Sequence, residues 1–309
     1  MGVNVVSLAV ALAPGFLFLR YFKNLDAKRP EPPGSVRNVV LLGVAACIPA
    51  AIIELAMQAV LGKSVVEAQG HFLDAFLVAA FTEESLKLAC VLLYLWRKPQ
   101  FDEVMDGILY CAAASLGFAM LENVLYAGGN IETGLFRAFT AVPLHAFASG
   151  LMGYFVGRAK LAARGSVGWL LAGLAVAVGG HGLYDWAVFS RGTFGFGGEH
   201  IGLGLLLAFA LVVVLGCAVW VASRDARRLD DALFGPASRP LPTAFGVASA
   251  AAPGMAYVGM PVFVLWTDGV SYPARLLGGQ GSHFFCELGN GAQEWVPRER
   301  VMVALAPAF

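Results

Sequence analysis

The sequence predicts an all-α polytopic membrane helix bundle of about seven transmembrane helices, followed by a small C-terminal all-β barrel of SH3-like or Tudor-like type. Three observations predict it. The chain is 58% hydrophobic and 14% charged, with a mean hydropathy of +0.71, whereas soluble domains carry about 45–50% apolar and about 25% charged residues. Apolar runs near the ~20 residues that cross a bilayer recur as far as residue 222. From about residue 257 the pattern changes to short strand-like segments between glycine turns.

The apolar runs are 3–22, 37–60, 71–96, 105–127, 135–158, 167–189 and 200–222. The first lacks a positive n-region and is too long for a cleavable signal core, so it reads as a span. The third is the weakest by hydropathy because it carries charges. Lysine and arginine alternate between the connecting loops. Lys23, Lys28, Arg29 and Arg37 follow the first run, Arg97 and Lys98 the third, Arg158, Lys160 and Arg164 the fifth, and Arg224, Arg227 and Arg228 the seventh. The intervening loops hold only Lys63, Arg137 and Arg191. By the positive-inside rule the N-terminus lies outside and the C-terminus in the cytoplasm of a multi-pass cell-membrane protein.

The expected organisation is a transmembrane domain over 1–224, a small-residue linker over 225–256 containing "ASRPLPTAFGVASAAAPG", and a cytoplasmic barrel over 257–309. The barrel strands are "PVFVLW", "SYPARLL", "SHFFCEL" and "EWVPRERVMVAL", separated by "TDG", "GGQG" and "GNG". Trp266, Tyr272 and Trp295 would line a surface for a cytoplasmic partner, or else fill the barrel core.

Net charge is zero, so no bulk field recruits nucleic acid. The five cysteines, at 47, 90, 111, 217 and 286, show no paired spacing. A disulfide framework and a zinc finger are therefore not expected.

Ionisable groups inside spans are costly and mark function by default. The third span holds Glu83, Glu84 and Lys87; the fourth Glu122 and Asn123; the fifth His145; the sixth His181 and Asp185; the second an isolated Glu54. At 1.5 Å per residue, Glu83 falls roughly 15–18 Å, Glu122 roughly 8 Å, both histidines roughly 12–15 Å and Asp185 roughly 6 Å below the outer surface. Four helices of alternating direction thus bring polar groups to the same outer half, which argues for one site. Lys87 stands i+4 from Glu83 and i+3 from Glu84 and can neutralise either. His181 and Asp185 are likewise i,i+4, so Asp185 can fix the His181 tautomer.

Two imidazoles and up to three carboxylates suit a water attacking a carbonyl. Glu122, His145 and His181 would form a Zn2+ triad with an open fourth position; without metal, Glu83 would activate water with the histidines as electrophiles. Taken singly, Glu84 and Lys87 read as a structural helix pair and His145 as a packing residue. Ser149, Gly153 and Gly157 read as a small-residue packing stripe rather than chemistry.

The motifs E83-E84-S85-L86-K87, G117-F118-A119-M120-L121-E122-N123, the lone H145, and H181-G182-L183-Y184-D185 resemble those of the PrsW family of intramembrane proteases. "APGFLFLRYF" and "FDEVMDGILY" extend the resemblance over about residues 10–190. It implies proteolysis of a membrane-protein or peptide substrate, such as an anti-sigma factor cut on its outer side. It also implies catalytic carboxylates at Glu83 and Glu84, with Glu122, His145 and His181 completing the site and Lys87, Asn123 and Asp185 in support. The β-rich tail departs from the short members of the family. Two other readings use the same residues: a proton-coupled transporter with a buried Glu/His pathway, which lacks here the internal repeats of such carriers, and a membrane scaffold acting through its barrel.

Overall fold

The computed structural model describes residues 5–62, 71–162, 165–189, 201–234, 261–266, 271–280, 283–289 and 291–303. The helices are α1 (Val5–Leu25), α2 (Pro33–Leu61), a π-helical segment (Asp74–Phe81) running directly into α3 (Thr82–Leu95), α4 (Val104–Gly129), α5 (Ile131–Phe139), α6 (Ala141–Leu161), α7 (Ser166–Phe189) and α8 (Ile201–Phe234). Among the described residues six segments are long and apolar enough to cross a membrane. The expectation of seven is corrected at the third run. That run is helical, but it is divided into a π-helical piece of 8 residues and an α-helix of 14, the second opening on two glutamates.

Local chemistry sets several helix ends. Pro33 occupies the first turn of α2, where its missing N–H costs nothing. Glu103 caps α4 in a reciprocal box with Asp106, whose carboxylate accepts the Glu103 N–H at 2.8 Å. Asn130 caps α5 by accepting the Glu132 N–H at 2.8 Å. The last helix continues to Phe234, through the first part of the stretch expected to be linker. Asp230 explains the extension, since its carboxylate accepts the N–H groups of Val104 at 2.8 Å and Met105 at 3.1 Å, closing the start of α4. The rest of that stretch, 235–260, lies outside the described residues.

Helix α4 is the hub. Its most apolar window is 94% buried, against 22% for α1 and 28% for α2. The outer helices instead expose Phe16, Leu17, Ile52, Leu55, Leu206 and Val214, as a hydrocarbon surrounding allows. Close approach of α6 to α4 requires glycine. A Cβ on Gly107 would strike the Gly153 carbonyl and the Gly157 nitrogen, and one on Gly153 would strike the Gly107 carbonyl. The stripe read as packing therefore packs, at Gly153 and Gly157. Gly153→Val should force α6 off α4 and lower stability by about 3 kcal/mol, measured as thermal unfolding in detergent.

The C-terminal segment forms a five-stranded antiparallel sheet in the order β4-β3-β2-β1-β5. Its strands are β1 (Pro261–Leu265), β2 (Ser271–Gln280), β3 (His283–Leu288), β4 (Gln293–Pro297) and β5 (Val301–Val303). A bulge between Leu276 and Gly278 bends β2. Among the described residues the sheet is open rather than closed into a barrel: the three residues of β5 pair with β1, and β4 does not pair with β5. Val262, Val264, Leu276, Phe284, Cys286, Leu288, Val296 and Val301 form the core of the sheet. Of the aromatics expected on its surface, Tyr272 is buried, Trp266 is partly buried against this core, and Trp295 is half exposed beside Phe285.

Candidate active site

Four elements converge on the polar residues. The first turns of α3 supply Glu83, Glu84 and Lys87; α4 supplies Glu122, α6 supplies His145, and α7 supplies His181. Ligand-type atoms of Glu83, Glu84, His145 and His181 all lie within 4.8 Å of one another. The two imidazole rings meet edge to face at 4.8 Å between centroids.

Lys87 is the centre. Its Nζ, with no exposure, donates to Glu83 Oε2 at 2.9 Å and to Glu84 Oε1 at 2.8 Å, and lies 2.9 Å from His145 Nδ1. An ammonium has three donors and no acceptor. The His145 Nδ1 must therefore accept, which puts the ring proton on Nε2 and lets it donate to Glu122 Oε2 at 3.0 Å. The Phe118 ring covers the lysine, with Nζ 4.5 Å from its centroid.

The two adjacent glutamates differ in kind. Glu84 is fully occupied: Oε1 faces Lys87 and His181 Nδ1, the latter at 3.0 Å, and Oε2 accepts from the Ser149 hydroxyl at 2.6 Å. Glu83 gives only Oε2 to Lys87, and its Oε1 makes no hydrogen bond among the described residues. Side-chain exposure follows the same division, at 8% for Glu83 and 0% for Glu84. Around Glu83 the site opens through Asp185 and Glu122, exposed at 13% and 19%. His181 Nε2 lies 3.3 Å from Asp185 Oδ2 and 3.9 Å from Glu83 Oε2, so this ring has a carboxylate beside each nitrogen.

Every expected site residue but one joins this assembly. Asn123 turns instead toward α1, donating to the Ala11 carbonyl at 3.4 Å. Glu122 stands beside the four clustered donors rather than among them, because Arg137 holds its carboxylate at 2.7 Å. The donors therefore group differently from a Glu122–His145–His181 triad. Two participants escaped the sequence. Ser149 was read as a packing residue and is a hydrogen-bond partner of Glu84. Arg137 was read as a loop charge and is the counter-ion of Glu122. Glu54 places a buried Oε1 on α2 with no hydrogen-bond partner among the described residues.

A profile described as PrsW family intramembrane metalloprotease matches residues 31–217. The chain belongs to this family. Protease PrsW of Geobacillus kaustophilus is 35% identical over 200 residues, covering 64% of this chain and 85% of that protein. Protease PrsW of Bacillus subtilis is 38% identical over 180 residues, 58% of this chain and 80% of the relative. Protease PrsW of Shouchella clausii is 28% identical over 225 residues, 72% and 99% of the two chains. No solved structure matches. This PrsW family member is a peptidase and a multi-pass membrane protein, and its β-sheet lies beyond the matched span.

Proposed function

We propose that the chain is an intramembrane endopeptidase in which Glu83 activates the attacking water. The single observation that supports this role is the asymmetry of the paired glutamates. Glu84 has both oxygens engaged, while Glu83 Oε1 makes no hydrogen bond among the described residues and its side chain is 8% exposed. A general base needs an open lone pair within reach of water. Lys87 orders Glu83 through its other oxygen.

In this scheme the water oxygen attacks the peptide carbonyl carbon as Glu83 takes its proton. The carbonyl electrons move to oxygen, where His181 stabilises the charge. The intermediate then breaks its carbon–nitrogen bond as Glu83 returns the proton to the leaving amine. Asp185 and Glu84 hold the His181 ring from either side; Glu122, anchored by Arg137, orients His145. Glu83, Glu84, His145 and His181 carry the donor types that suit zinc, but to hold it they would have to release Lys87, which now occupies Glu83 Oε2, Glu84 Oε1 and His145 Nδ1. Bound there, zinc would polarise the carbonyl and acidify water.

The substrate we propose is a membrane protein, with a regulator of the anti-sigma type as the leading class. The alternating loop charges support an outer N-terminus and a cytoplasmic sheet. The sheet is proposed as an SH3-like partner-binding module appended to the peptidase, with exposed Trp295 on its surface. Deleting 257–309 should then leave cleavage within about threefold of wild type while changing its regulation, as read by product formation in isolated membranes. The carrier alternative is not favoured by the family match. Membrane-protein fragments compared between cells carrying wild type and Glu83→Gln test the assignment. Fragments with new termini, present only with wild type, are expected; identical fragment sets would refute it.

A further inference from the structure

At the opposite end of α4, about 24 Å along the helix from Glu122, lies a second group of acids. Asp26, from the loop between α1 and α2, meets Glu103 and Asp106 at the start of α4, with one carboxylate oxygen from each within 4.8 Å of the others. They are 3%, 5% and 0% exposed. Glu31 stands beside them, accepting a hydrogen bond from the Tyr110 hydroxyl.

The available donors reach only part of this cluster. Asp26 Oδ2 accepts the Glu31 N–H at 3.2 Å. Asp106 Oδ2 accepts the N–H groups of Asp102 at 3.0 Å and Glu103 at 2.8 Å. Arg29 Nε reaches Glu103 at 3.1 Å, but the same guanidinium also serves Asp231 at 3.2 Å. One shared guanidinium does not offset three buried carboxylates. Independently of that charge excess, the Asp106 Oδ1 is buried and receives no donor among the described residues. An orphan carboxylate oxygen in such a place is costly unless something absent from the protein chain satisfies it.

We propose that Asp26, Glu103 and Asp106 form a binding site for a hard divalent cation, Mg2+ or Ca2+, distinct from the candidate active site. A proton would join two of these oxygens, whereas a cation satisfies one from each residue at once. The donors are all carboxylate oxygens, with no imidazole or thiolate, which selects hard cations over zinc. Bound there, the ion ties the α1–α2 loop to the first turn of α4. Asp230 of α8 already caps that turn, so the ion would fasten three parts of the bundle at one end.

The test uses the purified full chain in detergent, stripped with a chelator and then titrated separately with CaCl2 and MgCl2. Saturating cation should raise the Tm by about 5 °C. The rise should persist in Glu84→Gln, which alters the other cluster, and vanish in Asp106→Asn and in Asp26→Asn. Asp26→Asn leaves the Glu103–Asp106 cap intact and decides the matter if Asp106→Asn fails to fold. No rise with either cation, a rise undiminished in Asp26→Asn, or a rise lost in Glu84→Gln but kept in Asp26→Asn would overturn the proposal.

Discussion

Glu83→Gln should abolish peptide cleavage, with a loss of about 10³-fold or more, while the purified protein keeps its wild-type unfolding temperature within a few degrees. The amide is isosteric with the carboxylate and can still accept from Lys87 through its oxygen. The structural contacts of the cluster run mainly through Glu84, which retains Lys87, His181 and Ser149. Loss of function without loss of fold is thus the signature expected of Glu83. The matching change at Glu84 should differ in kind, because it disturbs three hydrogen bonds at a site with no solvent contact. Comparing turnover of a membrane substrate with thermal unfolding in detergent separates the two. Equal loss of stability in both variants would deny Glu83 a specifically chemical role.

Lys87→Met should be the most destabilising single change at the site, costing about 3–5 kcal/mol. The lysine has no exposure, and its three donors go to Glu83, Glu84 and His145. Removing it leaves two adjacent buried carboxylates facing each other with no shared cation, and takes the donor from His145 Nδ1. Adding Glu84→Gln should restore part of the loss, since it removes one of the stranded charges. A double-mutant cycle on unfolding in detergent reads this coupling directly. Additive losses would mean that the lysine and the glutamate do not act as a unit.

These expectations were legible to different degrees. Charged residues stand out against an apolar background, and helical spacing with span direction sufficed to bring Glu83, Glu84, His145 and His181 to one depth. Their convergence within 4.8 Å is what that pattern implied. Ser149 was invisible as a site residue because a small hydroxyl in a small-residue stripe has an adequate packing explanation; only the α6 rotation shows its oxygen aimed at Glu84. Arg137 lay near a span boundary, where a loop charge is the ordinary reading, and its place opposite Glu122 depends on how α5 folds back. Asn123 misled through adjacency, since on a helix neighbouring residues face different ways and it points to α1.

The fold shows the same division between local and long-range information. Strands β1 to β5 fall on the alternating segments, because alternation and glycine turns are local signals. Which strand lies at the edge is a long-range property, and the sheet order with β5 on β1 could not be read from the pattern. The π-helical stretch before α3 has no sequence signature in "DAFLVAAF". It packs where the Phe76 ring lies against the backbone of Gly182, one residue from His181. The extension of α8 to Phe234 likewise depends on a distant partner, the open N–H groups at the start of α4 that Asp230 satisfies.

If a water activated by Glu83 cleaves the peptide bond, the new carboxyl terminus takes its oxygen from solvent. A single turnover of wild-type enzyme in heavy-oxygen water, read by mass spectrometry of that terminus, should show one solvent oxygen on the first turnover and no cleaved product with Glu83→Gln. A first-turnover product carrying oxygen from the enzyme, or undiminished cleavage by Glu83→Gln, would contradict this mechanism.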